Sequence, residues 1–493
     1  MRPLAISKKL FRELDQREVV YCHWKSNMNL EKSCAGQTDL DLLVHKRDRK
    51  KFNIVLSELK FKKIMSPPLK QFPGMEDYLG FDSETGRLCH LHVHYKLILG
   101  QKYIKNHHLP LERFIFKKLI LYKNIYVPTP EVELLLLIIR ANLKFDFYDY
   151  LAFLVRKRDY IFPDDIYNEF KFLMKKYDRD IFLGIVADSA LPLSVSVLTS
   201  FLDKIGNSDL SVRDVLSIRK YLLNSLRKYQ QKKYILCLHK HILFYLLNLP
   251  IINRIFPSIK KRIPGRGRFV AIVGADGSGK TTLVKDLTKW LSWKMQVRTL
   301  YFGIPKTLSL KMVNKLISLL RFSTKIGLKK PFAAVVNLGH YVSALRWIWI
   351  AWKRLQIYRK AAVYAGKGVI VIADRYPLRE FWNMESPMDG PRIKKEWGSA
   401  NIKLANLEQH YYSQIGLPDK VFVLQTDIDE LRKRKKDLDF QSHQKKAKTV
   451  NSIKESSHIS TINAARAYTD VIKELKQRIW LLFIQETKEP FQG

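Results

Sequence analysis

The sequence predicts an α/β protein built from more than one domain, and three observations carry this prediction. The chain has 493 residues, which is too long for one ordinary hydrophobic core and favours two or three domains. Its second half alternates short apolar segments with amphipathic ones, the pattern of parallel strands joined by helices. A glycine-rich loop, residues 274–282, lies at the first of these strand-to-helix transitions. We therefore expect a helix-covered parallel sheet, preceded by an α+β domain and a helical region.

The composition is that of a folded and strongly basic protein. Apolar residues make up 46% of the chain and aromatic residues 12%, which excludes a wholly disordered chain. Lys and Arg outnumber Asp and Glu by 87 to 46, a net charge of +41. A charge of this size favours nucleic acid, anionic lipid headgroups or phosphorylated substrates as partners. Because the basic residues are spread along the chain, a generally basic solvated surface is an equal alternative.

The cysteines and the apolar segments indicate the cellular setting. None of the four cysteines forms a C-x-x-C pair, so neither a zinc knuckle nor a redox dithiol is predicted. Such sparse use is typical of a reducing cytoplasm. The first 20 residues alternate apolar and charged side chains, unlike a signal peptide, and no long uncharged apolar run predicts a membrane-spanning helix. We expect a cytoplasmic protein, with peripheral binding to an anionic membrane surface left open.

Changes in residue pattern divide the chain into three predicted regions. Residues 1–128 mix a first helix around Ile6 to Leu14 with strands, and "DYLGFDSETGRLCHLHVHY" has the alternation of a hairpin. Residues 129–262 have helical spacing from Thr129 onward, including the long segment 212–247. The linker "NLPIINRIFPSIKKRIPGRGR", residues 248–268, has three prolines and two glycines and marks the boundary to the next region. Residues 263–493 carry the strand–helix alternation.

The stretch "GADGSGKTT" matches the phosphate-loop pattern G-x-x-x-x-G-K-[ST] between a predicted strand and a predicted helix. Its glycines let backbone N–H groups turn inward around phosphates, and the following helix points its positive end at the same place. Lys280 can reach the β- and γ-phosphates, and Thr281 can ligate Mg²⁺. The sequence therefore predicts a site for ATP and Mg²⁺. Its nucleotide-binding residues are Gly274, Ala275, Asp276, Gly277, Ser278, Gly279, Lys280, Thr281 and Thr282.

Further motifs resemble the thymidylate kinase group of nucleoside monophosphate kinases. That group has a D-G-x-G-K-T-T loop and a D-R-Y/H motif that ends a later strand, here "DRYP" from Asp374 to Pro377. A "PD" strand follows, here Pro418 to Leu424, and then a basic lid, here "DELRKRKKD" from Asp429 to Asp437. All four occur in this order within about residues 266–480. The resemblance implies a P-loop kinase fold over this part of the chain.

The resemblance implies transfer of the ATP γ-phosphate to a nucleoside monophosphate, dTMP-like, or to another small acceptor. It implies that Lys280 and the lid residues Arg432 and Arg434 stabilise the migrating phosphoryl group. Asp374 would orient Mg²⁺, and Arg375 would grip the acceptor phosphate. A surface ion pair is the alternative for the last two residues, and a solvated helix face is the alternative for the lid.

The acceptor is the least determined part of this prediction. By the pattern of the group, Asp276 would face the sugar hydroxyl of the acceptor. The stretch "MDGPRI", Met388 to Ile393, combines a fixed turn with Arg392 and departs from a thymine-recognising pattern, so a nucleotide, a sugar and a phosphorylated sugar remain open. In that group a comparable helix lends an arginine to the acceptor, so the resemblance implies this role for Arg346 or Arg359 of the helix "VSALRWIWIAWKRLQIYRKAA". We expect Leu345, Trp347, Ile348, Trp352 and Leu355 to form one face of this helix. This face would pack in the core, cover the acceptor or contact a membrane.

A second candidate site lies in "GQTDLDLLV". Side chains alternate along a strand, so Asp39 and Asp41 share one face, where two carboxylates can hold Mg²⁺ for nucleotidyl transfer. Together with the upstream "HWKSN", this stretch resembles the nucleotidyltransferase superfamily over about residues 15–128. That superfamily takes a third carboxylate from a neighbouring strand, whereas "CHLHVHY" offers only His90, His92 and His94. Either His92 substitutes, or the domain binds a nucleotide or partner without turnover; a polar strand face is the alternative to a metal site.

Three functions therefore remain open from the sequence. The first is a P-loop kinase acting on a small-molecule acceptor, with a nucleotidyltransferase-like domain in front of it. The second is a nucleotidyltransferase with a regulatory P-loop domain. The third is a basic adaptor at a membrane surface or on nucleic acid, motivated by the basic amphipathic connector before residue 264. A homodimer is compatible with each of them.

Overall fold

The computed structural model describes most of the chain and divides it into two compact units. The first unit is Met1–Lys261 and the second is Arg262–Gly493. The described residues are 2–101, 104–145, 150, 153, 155, 161–232, 239, 240, 242, 243, 246, 260–305, 308–323, 332–382, 389–394, 399–434 and 440–485.

The first unit opens with a mixed five-stranded sheet in the order β1-β2-β5-β4-β3. The strands are β1 (Tyr21–His23), β2 (Leu40–Val44), β3 (Lys62–Ile64), β4 (Met75–Asp82) and β5 (Arg87–His94). The helices are α1 (Ala5–Gln16), α2 (Leu30–Cys34) and α3 (Arg49–Glu58). β2 pairs parallel with β5, and β4 and β5 form the predicted antiparallel hairpin. One face of the sheet packs with the helices into a core that contains Leu40, Leu42 and Leu91, so Asp41 and His92 belong to the opposite face.

The described remainder of the first unit is two small two-stranded sheets and a group of helices, most of which pack around a second core, whereas Ile125 and Val127 pack in the first. The strands are β6 (Leu97–Leu99), β7 (His107–Leu109), β8 (Leu119–Tyr122) and β9 (Ile125–Pro128). The helices are α4 (Glu112–Lys117), α5 (Pro130–Lys144), α6 (Asp164–Met174), α7 (Arg179–Asp188), α8 (Val195–Gly206) and α9 (Val212–Ser225). α5 begins at the predicted position, but the Thr129 side chain makes no capping hydrogen bond.

The helical spacing of residues 212–247 does not form one continuous helix. α9 ends at Ser225, and after a short 3₁₀ turn the chain becomes extended at Gln230. The physical reason is pairing with a distant segment: Gln231 donates its backbone N–H to the Asn106 carbonyl, and Lys232 donates to the Asn106 side chain at 3.0 Å. Most of the remaining segment and of the predicted linker lies outside the described residues.

The second unit is built on the predicted parallel sheet, with strand order β11-β12-β10-β13-β14. The strands are β10 (Phe269–Gly274), β11 (Val297–Tyr301), β12 (Ile370–Asp374), β13 (Lys420–Gln425) and β14 (Ile459–Asn463), all in parallel pairs. The helices are α10 (Lys280–Leu291), α11 (Leu308–Ser323), α12 (Phe332–Gly366), α13 (Ser399–Ser413), α14 (Ile428–Arg434), α15 (Phe440–Asn451) and α16 (Tyr468–Ile484). The carboxyl ends of parallel strands meet at one sheet edge, where such folds bind ligands.

The long helix α12 buries a different face from the one we expected. Trp347 and Leu355 are buried as predicted, whereas Leu345 and Trp352 are 45% and 39% exposed. The buried face continues instead through Ala344, Ile350, Ala351, Arg354 and Tyr358. This face follows helical spacing but contains an arginine, which an apolar pattern does not reveal. No helix in the described part of the chain combines the length and apolar character needed to cross a membrane.

Candidate functional site

The glycine-rich loop joins β10 to α10 in a conformation that requires glycine at two positions. Gly277 and Gly279 have φ angles of 92° and 87°, the left-handed region that residues with a Cβ rarely adopt. A Cβ on Gly274 would lie 2.7 Å from the Ser278 Oγ. Gly279 lies at the N-cap position of α10, and Lys280 begins the helix. The second unit therefore carries a P-loop domain: a parallel sheet with a phosphate-type loop at the carboxyl end of its central strand.

Lys280 is held against this loop. Its side chain is buried, and its Nζ donates to the carbonyls of Gly274 at 2.8 Å and Ala275 at 2.6 Å. Burial lowers the pKa of Lys280 to about 8, because the charged form loses hydration. The ammonium is still mainly protonated at neutral pH, so a positive charge is available inside the loop.

Asp374 brings a carboxylate to the same strand ends. It closes β12, which pairs with β10 so that Asp374 lies opposite Ile272. The side chain is 7% exposed, and its Oδ1 is buried without a hydrogen-bond partner among the described residues. Burial raises the pKa of Asp374. A buried carboxylate oxygen with no donor fits a cation such as Mg²⁺, and the hydroxyl-bearing Thr281 lies exposed in the first turn of α10.

Asp276 is surrounded by three cationic side chains. The Arg375 guanidinium donates to its Oδ1 at 2.8 Å, and the Nζ atoms of Lys446 and Lys280 lie 3.6 and 3.9 Å from its oxygens. Arg375 has a φ of 59°, an uncommon conformation for a residue with a side chain. The loop and the "DRYP" motif thus contact each other through Asp276 and Arg375.

The ion pair of Asp276 and Arg375 forms part of the wall of a cavity of about 510 Å³. Its size falls in the range of small-ligand sites. The charged residues that line it are Asp276, Lys311, Arg375, Asp389, Arg392 and Lys446, and the others are Tyr301, Ile304, Pro305, Leu310 and Asn314. Four cations against two carboxylates favour an anionic or phosphorylated occupant.

The described part of the "MDGPRI" stretch forms one rim of this cavity. Glu408 on α13 accepts the backbone N–H groups of Arg392 at 3.0 Å and Ile393 at 2.9 Å. Arg392 also lies over the ring of Trp347, 5.0 Å from its centroid. A Cβ on Gly390 would come within 2.6 Å of Trp382. The turn is therefore fixed by packing and by a carboxylate; Met388 lies outside the described residues.

Sequence reasoning missed the arginine that organises this region. Arg354, 1% exposed on α12, donates to the Phe302 carbonyl at 2.6 Å, the Tyr412 hydroxyl at 2.5 Å and the Asp389 carboxylate at 2.7 Å. Arg354 follows the buried Trp347 by seven residues, which is two helical turns, and this spacing was the signal that the two side chains share a buried face.

The two predicted arginines of α12 occupy other positions. Arg346 lies over the Trp347 ring at 4.5 Å, and Arg359 donates to Gln414 at 3.1 Å on the surface. Neither is among the described residues that line the cavity.

The predicted lid is described only in part. Leu431 on α14 is buried, and a Cβ on Gly277 would lie 3.4 Å from its Cδ2. This contact places α14 beside the loop. Arg432 and Arg434 are exposed, and Arg434 bonds Glu430 and the Ala464 carbonyl, each at 3.0 Å. Neither lies among the described residues that line the cavity, and residues 435–439 lie outside the described chain.

In the first unit, the two predicted metal-binding aspartates contact different partners. Asp39 Oδ1 lies 2.8 Å from His90 Nδ1, whereas Asp41 Oδ1 lies 2.9 Å from Lys25 Nζ. The histidine strand itself contains no acid, but the neighbouring strand β4 supplies one. Asp77 on β4 pairs in register with His92 and approaches its Nδ1 to 2.8 Å. Burial alone would raise the pKa of Asp77, but hydrogen bonds with His90 and His92 hold it well below its usual value.

Comparisons with known proteins give distant relatives. No protein-family model matches the chain. Over 238 residues it is 28% identical to "Uncharacterized ATP-binding protein YghR" of Escherichia coli K12, covering 45% of this chain and 89% of that protein. "Uncharacterized ATP-binding protein YghS" of the same strain is 28% identical over 174 residues, or 33% and 70%. A solved structure of thymidylate kinase from Candida albicans covers 45% of this chain and 95% of its own, at 19% identity and a TM-score of 0.28.

Proposed function

We propose that the second unit is an ATP-dependent phosphotransferase that transfers the γ-phosphate to a small acceptor bound in the 510 Å³ cavity. One observation carries the proposal: Asp276 of the loop and Arg375 of "DRYP" contact each other and also line the cavity. A donor phosphate at the loop and an acceptor in the cavity would therefore be neighbours, which direct transfer requires. Both Escherichia coli relatives are named ATP-binding proteins, which supports ATP as the donor.

Each side chain has a definite task in this proposal. The loop backbone and Lys280 bind the β- and γ-phosphates of ATP. Asp374 and Thr281 would hold Mg²⁺, which supplies charge neutralisation on the phosphate oxygens. Arg375 would leave its pairing with Asp276 in part to bind the acceptor, and Arg392, which also lines the cavity, would bind the acceptor as well. Positioning and charge do most of the work, because phosphoryl transfer needs little covalent help.

The cationic lining makes a phosphorylated acceptor the first choice. Lys311, Arg375, Arg392 and Lys446 offer charge-assisted hydrogen bonds to a phosphate. A nucleoside monophosphate, dTMP-like, and a sugar phosphate both suit this lining. Tyr301 can pack against a base or a sugar, and Asn314 can distinguish their polar edges.

The test is transfer of labelled γ-phosphate from ATP with Mg²⁺ to a panel of acceptors: dTMP first, then other nucleoside monophosphates, sugars and sugar phosphates. We expect Lys280→Ala to lower transfer at least ~100-fold, as expected when a group that stabilises transition-state charge is lost. Lys285→Ala, on the exposed side of the same helix, is the matched control and should leave transfer unchanged. Full transfer by Lys280→Ala would refute the proposal.

Nucleotidyl transfer by the first unit is the second candidate function. The position of Asp77 is the observation that favours it. This carboxylate lies on β4, one strand beyond the β5 position where a third acid was sought, and on the same sheet face as Asp41. The two functions differ in the phosphate that they move. Incorporation of label from α-labelled ATP, lost in Asp39→Asn and kept in Lys280→Ala, would support the first unit as the enzyme; no incorporation would exclude this candidate.

A further inference from the structure

Three potential metal ligands meet on the face of the first unit's sheet opposite Leu40 and Leu42. Asp41 on β2 lies opposite His92 on β5, and His94 follows two residues later on the same face. One ligand atom of each of these three residues lies within 4.8 Å of those of the other two. The three residues lie on two strands that pair in a fixed register. The pairing of the strands, and not the conformation of a loop, therefore brings them together.

The environment of the His94 side chain is the observation that points to a ligand. The residue is 1% exposed, and neither ring nitrogen has a hydrogen-bond partner among the described residues. Burying an imidazole without a partner costs free energy, because its hydration is lost and nothing replaces it. Its ring is held in place by edge contacts with Trp24 and His92, at centroid distances of 5.1 and 4.6 Å. A coordinated cation would satisfy one of its nitrogens.

His92 is already oriented for coordination. Its Nδ1 lies 2.8 Å from Asp77 Oδ1, and Asp77 is buried. Metal-bound histidines commonly contact a carboxylate through the ring nitrogen that does not bind the metal, which fixes the ring and its tautomer. This pairing leaves Nε2 of His92 as the nitrogen available for a metal.

We propose that Asp41, His92 and His94 bind a first-row transition-metal dication, with Zn²⁺ as the reference ion. Two imidazole nitrogens and one carboxylate suit zinc and its neighbours, whereas Mg²⁺ prefers oxygen ligands alone. This site is separate from the Mg²⁺ site proposed at the P-loop. Ligand atoms on one zinc ion are about 3.3 Å apart, so coordination requires small side-chain movements. Lys25 contacts Oδ1 of Asp41, so Oδ2 is the oxygen that would bind the metal.

The experiment measures metal content of the full-length protein after chelator treatment and dialysis against Zn²⁺. We expect about one tightly bound zinc per chain, and Co²⁺ in its place should give visible absorption bands of a histidine-ligated ion. His94→Gln should lose this zinc, and Asp77→Asn should lower zinc affinity about 10- to 100-fold. The matched control is His108→Gln. His108 lies in the same unit and contacts Glu112 at 3.0 Å, away from the three ligands, so its replacement should leave the stoichiometry unchanged.

Two results would overturn the proposal: a wild-type protein without stoichiometric zinc, or a folded His94→Gln variant that retains it. If His94→Gln fails to fold by circular dichroism, hydrogen exchange of the wild type decides the question. Slower exchange of β2 and β5 on adding Zn²⁺ would support the site. Slower exchange only elsewhere, or none, would overturn it.

Discussion

Arg354 joins three separate parts of the second unit. Its guanidinium reaches the end of β11 through the Phe302 carbonyl, α13 through the Tyr412 hydroxyl, and the cavity rim through Asp389. The guanidinium reaches these acceptors from three different nitrogens in a fixed plane, whereas an ammonium group carries all three of its donors on one nitrogen. Arg354 therefore positions the rim and does not itself line the cavity.

We predict that Arg354→Lys weakens both the fold and acceptor binding. The lost hydrogen bonds and the unpaired Asp389 should lower the free energy of unfolding by about 1–3 kcal/mol, measured by urea denaturation. In the transfer assay the KM for the acceptor should rise while the KM for ATP stays the same. Arg359→Lys, on the surface of the same helix, is the control. Unchanged stability and acceptor KM in Arg354→Lys would show that the rim does not depend on it.

Local patterns predicted the loop residues but not their partners. Gly274, Lys280 and Asp374 could be assigned because each stands in a short motif with a fixed place on a strand or helix. Arg354 and Asp77 were missed for different reasons. An arginine in a helix is normally predicted to face solvent, so Arg354 was not assigned to the buried face. The position of Asp77 depends on the register of β4 against β5, which residue spacing alone does not determine.

At the scale of elements, α5 holds a buried carboxyl against the start of the chain's first sheet. Glu133 is 4% exposed and accepts from the backbone N–H and the side-chain Nδ2 of Asn27, at 2.9 and 2.8 Å. Burial raises the pKa of Glu133 to about 7, although the hydrogen bonds from Asn27 favour its ionised form. Glu169 adds to the increase and Arg140 opposes it.

This raised pKa predicts that stability declines with pH. Between about pH 4.5 and 7 the folded protein keeps a proton on Glu133 that the unfolded chain has lost, so the free energy of unfolding falls as pH rises and levels off above pH 7. The contribution is on the order of 1–3 kcal/mol. Urea denaturation at pH 5, 6, 7 and 8 should show a flatter profile for Glu133→Gln. Equal slopes in variant and wild type would contradict the prediction.

The boundaries of helices were predictable where local chemistry sets them. α5 starts at Pro130 because proline suits the first helical position. α9 ends at Ser225 although the helical spacing continues, since the following residues pair with Asn106. That pairing joins segments more than 120 residues apart in sequence, and tertiary contacts of this kind override local helix propensity.

At the scale of the whole molecule, each unit has its own hydrophobic packing among the described residues, with two core clusters in the first unit and one in the second. The described core clusters of the first unit lie around α1 and β2 and around α5, and that of the second unit surrounds β10 and β12. A ligand stabilises the cooperative structure to which it binds. The proposed nucleotide and zinc sites belong to different units, so their effects on local stability should be separable.

We predict that a non-transferable ATP analogue with Mg²⁺ slows hydrogen exchange in the second unit, most strongly in β10, the N-terminal half of α10 and the end of β12. Saturation at 100 times the dissociation constant stabilises the bound state by about 2.7 kcal/mol, or roughly 100-fold slower exchange where opening requires release of the ligand. Lys280→Ala should lose this protection at the same analogue concentration, and Lys285→Ala should keep it. Protection confined to the first unit would place the nucleotide elsewhere and contradict the assignment of the P-loop as its site.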